Sequence, residues 1–332
     1  MVVSPPETAS SSSTREATLP SSPESTAPAL VLLAAGRSSR YGRPKQLDPL
    51  GPGGASLTAY TVLDALRAGF GSVVLVVRPD LEGSLSAHLS EQLGPDLPLA
   101  WVHQELGDLP EGFGDLVPGR KKPWGTAQAV LAARKRLHGP FGVANADDWY
   151  GPEALSALRS ALADLPPEPP CPAVLVGFPM RATLPPSGDG VSRGRVEVAG
   201  GEVRTVVELH QVATRPDGRL SGRTGAGDEV AVAADDWASM NLWGFGRCGI
   251  DVLADGFTDF LEAEGADPGA EYALSTAVGD LLARDAMSLR LVPEGRRWFG
   301  VTHPGDAPWV RERLQELHDD GTYGPSLPDL LP

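Results

Sequence analysis

The stretch LVLLAAGRSSRYGRPKQL, Leu30 to Leu47, sets an apolar run directly against a small-residue turn, then places Arg37, Arg40, Arg43 and Lys45 within nine residues. An apolar run that ends in such a turn reads as a buried strand giving way to a loop. In open α/β sheets ligands collect outside the carboxyl ends of the strands, so this loop stands at a favoured place. Ala34, Ala35 and Gly36 let backbone come close to a ligand, and successive N–H groups in such a turn form an anion-holding concavity. The cations that follow add charge and forked donors suited to phosphate oxygens. A triphosphate fits this chemistry; a tight turn followed by a solvated basic loop is the plainer alternative.

From Ala29 onward apolar runs alternate with longer amphipathic segments, the pattern of a sheet with crossover helices. Strands are expected at ALVLLAA, SVVLVVR, LAWVHQ, FGVANA and PAVLVGF, with helices near 55–68, 82–93, 125–137 and 152–164. That is an α/β opening half with a mostly parallel sheet. After Gly177 the texture changes to Gly-punctuated alternation, and GRVEVAGGEVRTVVELHQV reads as a hairpin turning at Ala199 to Gly201. The strand ASMNLWGF and helices near 249–263 and 270–284 complete this reading. Residues 1–28, rich in Ser, Pro and Thr, are expected to be a disordered tail. Residues 29–318 form the domain and 319–332 a C-terminal tail.

Composition narrows the function. The 332 residues are 41% hydrophobic with no apolar run of membrane-spanning length, so a sizeable core and no membrane partner are expected. A formal net charge of -15 repels nucleic acid, which makes the cations from Arg37 to Lys45 stand out. Cys171 and Cys248 are far apart, without a CxxC or a nearby His, so a reduced cytoplasmic setting is the simpler reading. His88, His103, His138, His210, His303 and His318 show no metal-ligand pairing and read as structural or surface residues.

Two further stretches carry chemistry. In PWGTAQAVLAAR, Pro123 to Arg134, Gly125 lets a planar base lie against backbone, and Thr126 with the helix start offers donors. In VANADDWYG, Val143 to Gly151, an apolar strand ends in Asp147 and Asp148. Carboxylates at that place are hard oxygen ligands of the kind Mg²⁺ needs, bridging to substrate phosphates. Asp148 has a second available role, capping the next helix.

LAAGRSSRYGRPKQL resembles the LAAGxGSRxGxPKxL signature of the nucleotidyltransferases that make NDP-sugars and related activated compounds, with Ser38 in place of the second glycine. The resemblance implies a Rossmann-like, three-layer nucleotidyltransferase fold with a mixed, mostly parallel sheet. It implies transfer of NMP from an NTP to a sugar 1-phosphate, with Mg²⁺ as cofactor and release of pyrophosphate. It makes Leu33, Ala34, Ala35, Gly36, Arg37, Ser38, Gln104, Gly125 and Thr126 nucleotide-binding, and Arg40, Lys45 and Asp147 catalytic. Gly194, Glu208 and Asn241 are the implied substrate-binding residues, with Asp147 on the metal, either as its one protein carboxylate or joined by Asn241 or Glu271, since Ala277 stands where many relatives have an aspartate. Leu209 replaces the lysine that follows the glutamate in many relatives, which passes phosphate binding to Lys45, Arg181, Arg193 or the basic segment Arg120 to Lys122. It also keeps open a cytidylyltransferase of another phosphorylated alcohol, such as phosphocholine. A non-catalytic nucleotide or sugar-phosphate sensor is the alternative of a different class. The insertion LGDLPEGFGDLVPGRKKPW, Leu106 to Trp124, is expected to be either a lid, whose Arg120, Lys121 and Lys122 would close on phosphate, or a passive disordered loop. WFGVTHPGD, Trp298 to Asp306, is expected to pack Trp298 and Phe299 into the core.

Overall fold

The computed structural model describes residues 27–36, 44–301 and 304–332. The apolar run forms β1 (Ala29–Leu33), followed by α1 (Leu57–Arg67), β2 (Ser72–Val77), α2 (Pro79–Leu93), β3 (Leu99–His103), α3 (Thr126–Ala132) and β4 (Phe141–Asn145). Then come β5 (Asp148–Trp149), α4 (Pro152–Ala163), β6 (Cys171–Pro179), β7 (Val191–Ala199), β8 (Glu202–Thr214), β9 (Leu220–Arg223), β10 (Glu229–Val232) and β11 (Trp237–Phe245). The chain closes with α5 (Gly249–Glu264), α6 (Leu274–Ala283), β12 (Met287–Val292), β13 (Phe299–Gly300) and α7 (Ala307–Asp319).

The main sheet runs β10-β9-β8-β12-β6-β11-β4-β1-β2-β3, with β7 pairing β11 and β8. Parallel pairing joins β3, β2, β1 and β4, as the opening half of the sequence implies, and recurs between β6 and β12. The remaining main-sheet pairings are antiparallel, so the expected mostly parallel sheet is corrected to a mixed one in which antiparallel pairings outnumber parallel ones among the described residues. The reason lies beyond Gly177, where short turns join β7 to β8, β8 to β9 and β9 to β10 and so reverse the chain, and where β11 runs antiparallel to β4, β6 and β7.

Period-two alternation assigns the two faces. Leu30 and Leu32 pack with residues of α1, α2, α4 and α7, whereas Val31 and Leu33 pack with residues of α3, α5 and α6. On α2, Leu81, Leu85, Leu89 and Leu93 are buried at the spacing of one helical stripe. The hairpin at Ala199 to Gly201 is present, joining β7 to β8. The β9–β10 hairpin, β12 and α7 were not anticipated from the sequence.

Three expectations change. Cys171 and Cys248, read as unpaired and reduced, form a disulfide with their Cα atoms 5.8 Å apart across 77 residues of sequence. Antiparallel pairing of β6 with β11 sets Ala173 against Phe245, which brings both cysteines to one end of the sheet. The insertion at 106–124 is strapped down at its C-terminal end rather than built as a free basic lid. Arg120, 6% exposed, stacks on the buried Trp124 ring at 3.5 Å and donates to the carbonyls of Lys122, Pro123, Asp267 and Ala270. Lys122 pairs with Glu271 at 3.2 Å and donates to Gly269 O. Finally, the segment after α7 is docked: Tyr323 is fully buried, and Leu327 is buried. No helix among the described residues is long and apolar enough to cross a membrane.

Candidate active site

Parallel pairing of β1 with β4 sets Leu33 opposite Asn145, so the loops leaving the two strands meet. Lys45 Nζ lies 3.6 Å from Asp147 Oδ2, with the side chains 15% and 35% exposed, so the carboxylate can still be reached from solvent. The strand end is held in place by Ala34 N–H donating to Val76 O at 2.8 Å and by Gln46 Nε2 donating to Ala34 O at 3.0 Å. Arg78 donates to Gly36 O and pairs with Asp80. Arg37, Ser38, Arg40 and Arg43 lie outside the described residues, as do residues 1–26 and His303.

The backbone around Asp147 is gripped by α1. Thr58 Oγ1, fully buried, donates toward the carbonyls of Ala146 (2.9 Å) and Gln46 (3.1 Å), and Thr61 Oγ1 donates to Asp148 O at 3.0 Å. Two threonines three apart on one helix face thus fix both peptide carbonyls that flank Asp147, and link them to the turn bearing Lys45. Sequence reasoning passed over Gln46, Thr58 and Thr61. The available signal for the two threonines was a pair of hydroxyls three apart on a mostly apolar helix.

Asp148 does not cap α4, whose N-cap residue is Gly151 with no side-chain cap. Instead Asp148 is buried, and its Oδ2 accepts from Asn145 Nδ2 (2.9 Å) and from the Tyr150 hydroxyl (3.2 Å). Burial, and next the charge of Asp147, push the Asp148 carboxyl above the usual carboxylate range. Asn241, at φ 63°, donates from Nδ2 to Asn145 Oδ1 at 2.7 Å, while its Oδ1 accepts from Trp243 Nε1 at 2.6 Å. Asn241 therefore reaches the acidic pair through Asn145. Glu271, the other candidate metal ligand, is paired with Lys122, and Ala277 is fully buried in the core beneath α6. Among the described residues no three His, Cys, Asp or Glu side chains converge as a metal cluster.

The expected base-binding group forms a tight local unit. Gln104 Nε2 donates to Gly125 O and Gln128 Oε1, both at 2.9 Å. Gly125 has φ 111°, and a Cβ there would collide with the Tyr272 carbonyl. That carbonyl accepts from Ala127 N–H at 3.0 Å, and Thr126 Oγ1 accepts from Leu274 N–H at 2.8 Å. Gly125 and Thr126 thus join α3 to the turn before α6, and one N–H of the helix start, that of Ala127, is taken by this carbonyl.

The second-half residues come together across β7, β8 and β11. Gly194 is paired with Glu208 on one side and Ser239 on the other. Glu208 is exposed, and Leu209 beside it is fully buried, so its side chain faces the core. Arg193 donates to Thr183 O and Ser192 O and lies 5.0 Å from the Trp298 ring. Burial lowers its pKa, and the charges of Asp148 and Glu208 oppose that shift. Arg181 is exposed. Phe299 packs as expected, stacked on Trp149 at 4.6 Å, and β13 pairs with β5, placing Gly300 opposite Asp148.

A lysine and a carboxylate that meet where two parallel strands end, beside a small-residue turn, form the arrangement that the opening stretch led one to expect. Residues 30–172 match the MobA-like NTP transferase domain. The expected resemblance to nucleotidyltransferases is therefore borne out, and the matched segment holds Lys45, Asp147 and Asp148. The inositol-1-phosphate CTP transferase from T. maritima shares the fold at TM-score 0.58 and 14% identity, covering 89% of this chain and 98% of that one. No curated protein matches the sequence.

Proposed function

We propose that the protein is a nucleotidyltransferase that moves NMP from an NTP to a phosphorylated sugar or alcohol, a sugar 1-phosphate first among them, with release of pyrophosphate. We read its helices on both faces of the sheet as the Rossmann-like, three-layer arrangement of these enzymes. The observation that carries the proposal is the Lys45–Asp147 pair at the ends of β1 and β4. The reaction needs an oxygen of the acceptor phosphate to bond to the α-phosphorus as the α–β bridging bond breaks, with pyrophosphate leaving on that electron pair. The attacking oxygen is ionised near neutral pH, so positioning and charge neutralisation carry the catalysis.

Lys45 supplies a mobile point charge to the reacting phosphates. Arg40 is assigned to the β- and γ-phosphates, together with the N–H groups of the turn at Ala35 and Gly36, while the Ala34 N–H is taken up by Val76 O. Asp147 fits a hard divalent cation, because it is a partly exposed carboxylate, and Mg²⁺ binds through one or two carboxylates plus substrate phosphates. Bound there, Mg²⁺ would offset charge developing on those phosphates. Thr58 and Thr61 hold the peptide of Asp147 in place, and Gln46 holds the strand end beside it. Gly194 and Glu208 are assigned to the acceptor. Asn241 and Asn145 buttress the acidic pair, and Asn241 is a metal ligand only through whatever capacity its Oδ1 retains beyond the Trp243 bond.

A matrix of the four NTPs against glucose 1-phosphate, other sugar 1-phosphates, inositol 1-phosphate and phosphocholine, read as Mg²⁺-dependent pyrophosphate release, tests the proposal. Turnover with one nucleotide and one acceptor class supports it. Tight NTP binding with no turnover in any cell of the matrix would replace it by the sensor reading.

A further inference from the structure

Two glutamine amides beside Gly125 form a chain whose direction the surrounding backbone dictates. Gln128, on α3, is 1% exposed, and its Nε2 lies 3.4 Å from the carbonyl oxygens of both Glu105 and Asp108. Carbonyls only accept, so the nitrogen must face them and Oε1 must point the other way. There Oε1 accepts from Gln104 Nε2 at 2.9 Å, and the second proton of that amide goes to Gly125 O, also at 2.9 Å. Turning over either amide, or both, would press an amide oxygen against at least one of these carbonyls. The Gln104 backbone N–H is used as well, by Val77 O.

What the partly exposed Gln104 side chain has left is Oε1, to which no described residue donates. Gln104 follows β3, and β3 and β1 flank β2 in parallel, so this oxygen stands at the same edge of the sheet as the turn at Gly36. A glutamine amide that is free to turn over offers donor and acceptor alike and discriminates poorly. Locked with its nitrogen inward, it offers an acceptor alone, which favours an N–H at the facing point and penalises a carbonyl or a bare ring nitrogen there. Nucleotide bases differ in this respect. Adenine and cytosine carry an amine beside a bare ring nitrogen, whereas guanine and uracil carry a carbonyl beside a ring N–H, so donor and acceptor exchange places between the two pairs.

We propose that Gln128 is a positioning residue for base selection: through the amide of Gln104 it fixes an acceptor-only edge, which sorts NTPs by where the base presents its N–H donor. The proposal deepens the nucleotidyltransferase reading and rests on it for the placement of a base at Gln104. The test is equilibrium binding of ATP, GTP, CTP and UTP with Mg²⁺ to the full-length chain by calorimetry, with inorganic tripolyphosphate as the probe that lacks a base. Wild type should separate amino from keto base within the ring size it prefers, CTP from UTP or ATP from GTP, by at least about tenfold. Gln128→Leu should cut that ratio by about fivefold or more while leaving tripolyphosphate affinity unchanged, which general loosening of the fold would not do. Gln104→Leu removes the acceptor itself and should flatten the ratio, and the double variant should be no flatter than Gln104→Leu alone. Gln128→Met repeats the measurement should Gln128→Leu fold poorly. NTP binding without amino–keto separation in wild type, undiminished separation in the Gln128 variants, equal losses for every NTP and for tripolyphosphate, or additive losses in the double variant would overturn the proposal and leave the transferase standing. Separation that depends on Gln128, in a wild-type chain that releases no pyrophosphate with any acceptor, would keep the proposal and discard the transferase. A wild-type chain that binds no NTP would overturn both.

Discussion

Replacing Asp64 with Asn should remove a pH dependence from the stability of this fold. Asp64 lies on α1, is 1% exposed, and accepts from the Tyr323 hydroxyl at 2.5 Å through Oδ2. Its Oδ1 has no hydrogen-bond partner among the described residues, and Arg67 Nη1 lies 3.9 Å away. Burial outweighs both the Tyr323 bond and Arg67, and raises the carboxyl from 3.8 to about 7. Between those two values the native state keeps a proton that the unfolded chain has released. Stability therefore falls as pH rises through that window and levels off above about 7, the reverse of an ion-paired carboxylate. From pH 5 to the folded value is about 2 units at about 1.36 kcal/mol each, so about 3 kcal/mol should be lost by pH 8. Asn keeps an acceptor for Tyr323 and cannot ionise. Urea unfolding of wild type and Asp64→Asn at pH 5 and pH 8 reads the difference directly. Asp148 is displaced in the same direction in both proteins and cancels. Parallel pH profiles for the two proteins would refute the reasoning, because burial would then not be holding a proton on Asp64.

Asp147→Asn should lower pyrophosphate release by roughly 100-fold or more at an unchanged melting temperature, since a partly exposed carboxylate is lost from the reacting centre; Asp148→Asn should cost less turnover. Arg40→Ala should likewise slow turnover without unfolding the chain, measured in the same assay. Gly125→Ala should destabilise by roughly 2–4 kcal/mol in denaturant unfolding, because its positive φ and the Tyr272 carbonyl leave no room for a Cβ. A chain lacking residues 1–26 should melt and turn over like the full chain, whereas one ending at residue 318 should melt lower, because it loses the buried Tyr323 and its bonds to Asp64 and Trp149.

The parallel half of the sheet was legible because its information is local. Apolar runs such as SVVLVV and the leucine stripe of α2 carry their own period, and a turn of small residues after a strand marks a ligand-facing loop wherever the strand is placed. Asp147 stands just past an apolar run and Lys45 in the basic stretch that follows another, and the resemblance to the nucleotidyltransferase signature singled out both. What they could not reveal is their partners, since those come from distant parts of the chain. Thr58 reaches Ala146 across 88 residues, and Gly300 meets Asp148 only because β13 returns to pair with β5. The roles of Asp148, Gly125 and Arg120 changed on folding by the same logic: each has a plausible local reading as cap, base platform or lid cation. Their surroundings come instead from groups far away in sequence: Asn241 behind the Asn145 that holds Asp148, the Tyr272 carbonyl against Gly125, and the carbonyls at 267 and 270 that receive Arg120. Periodicity specifies which side of an element is buried, but only packing specifies what it is buried against, because a buried polar group must find a partner and the nearest one in space need not be near in sequence.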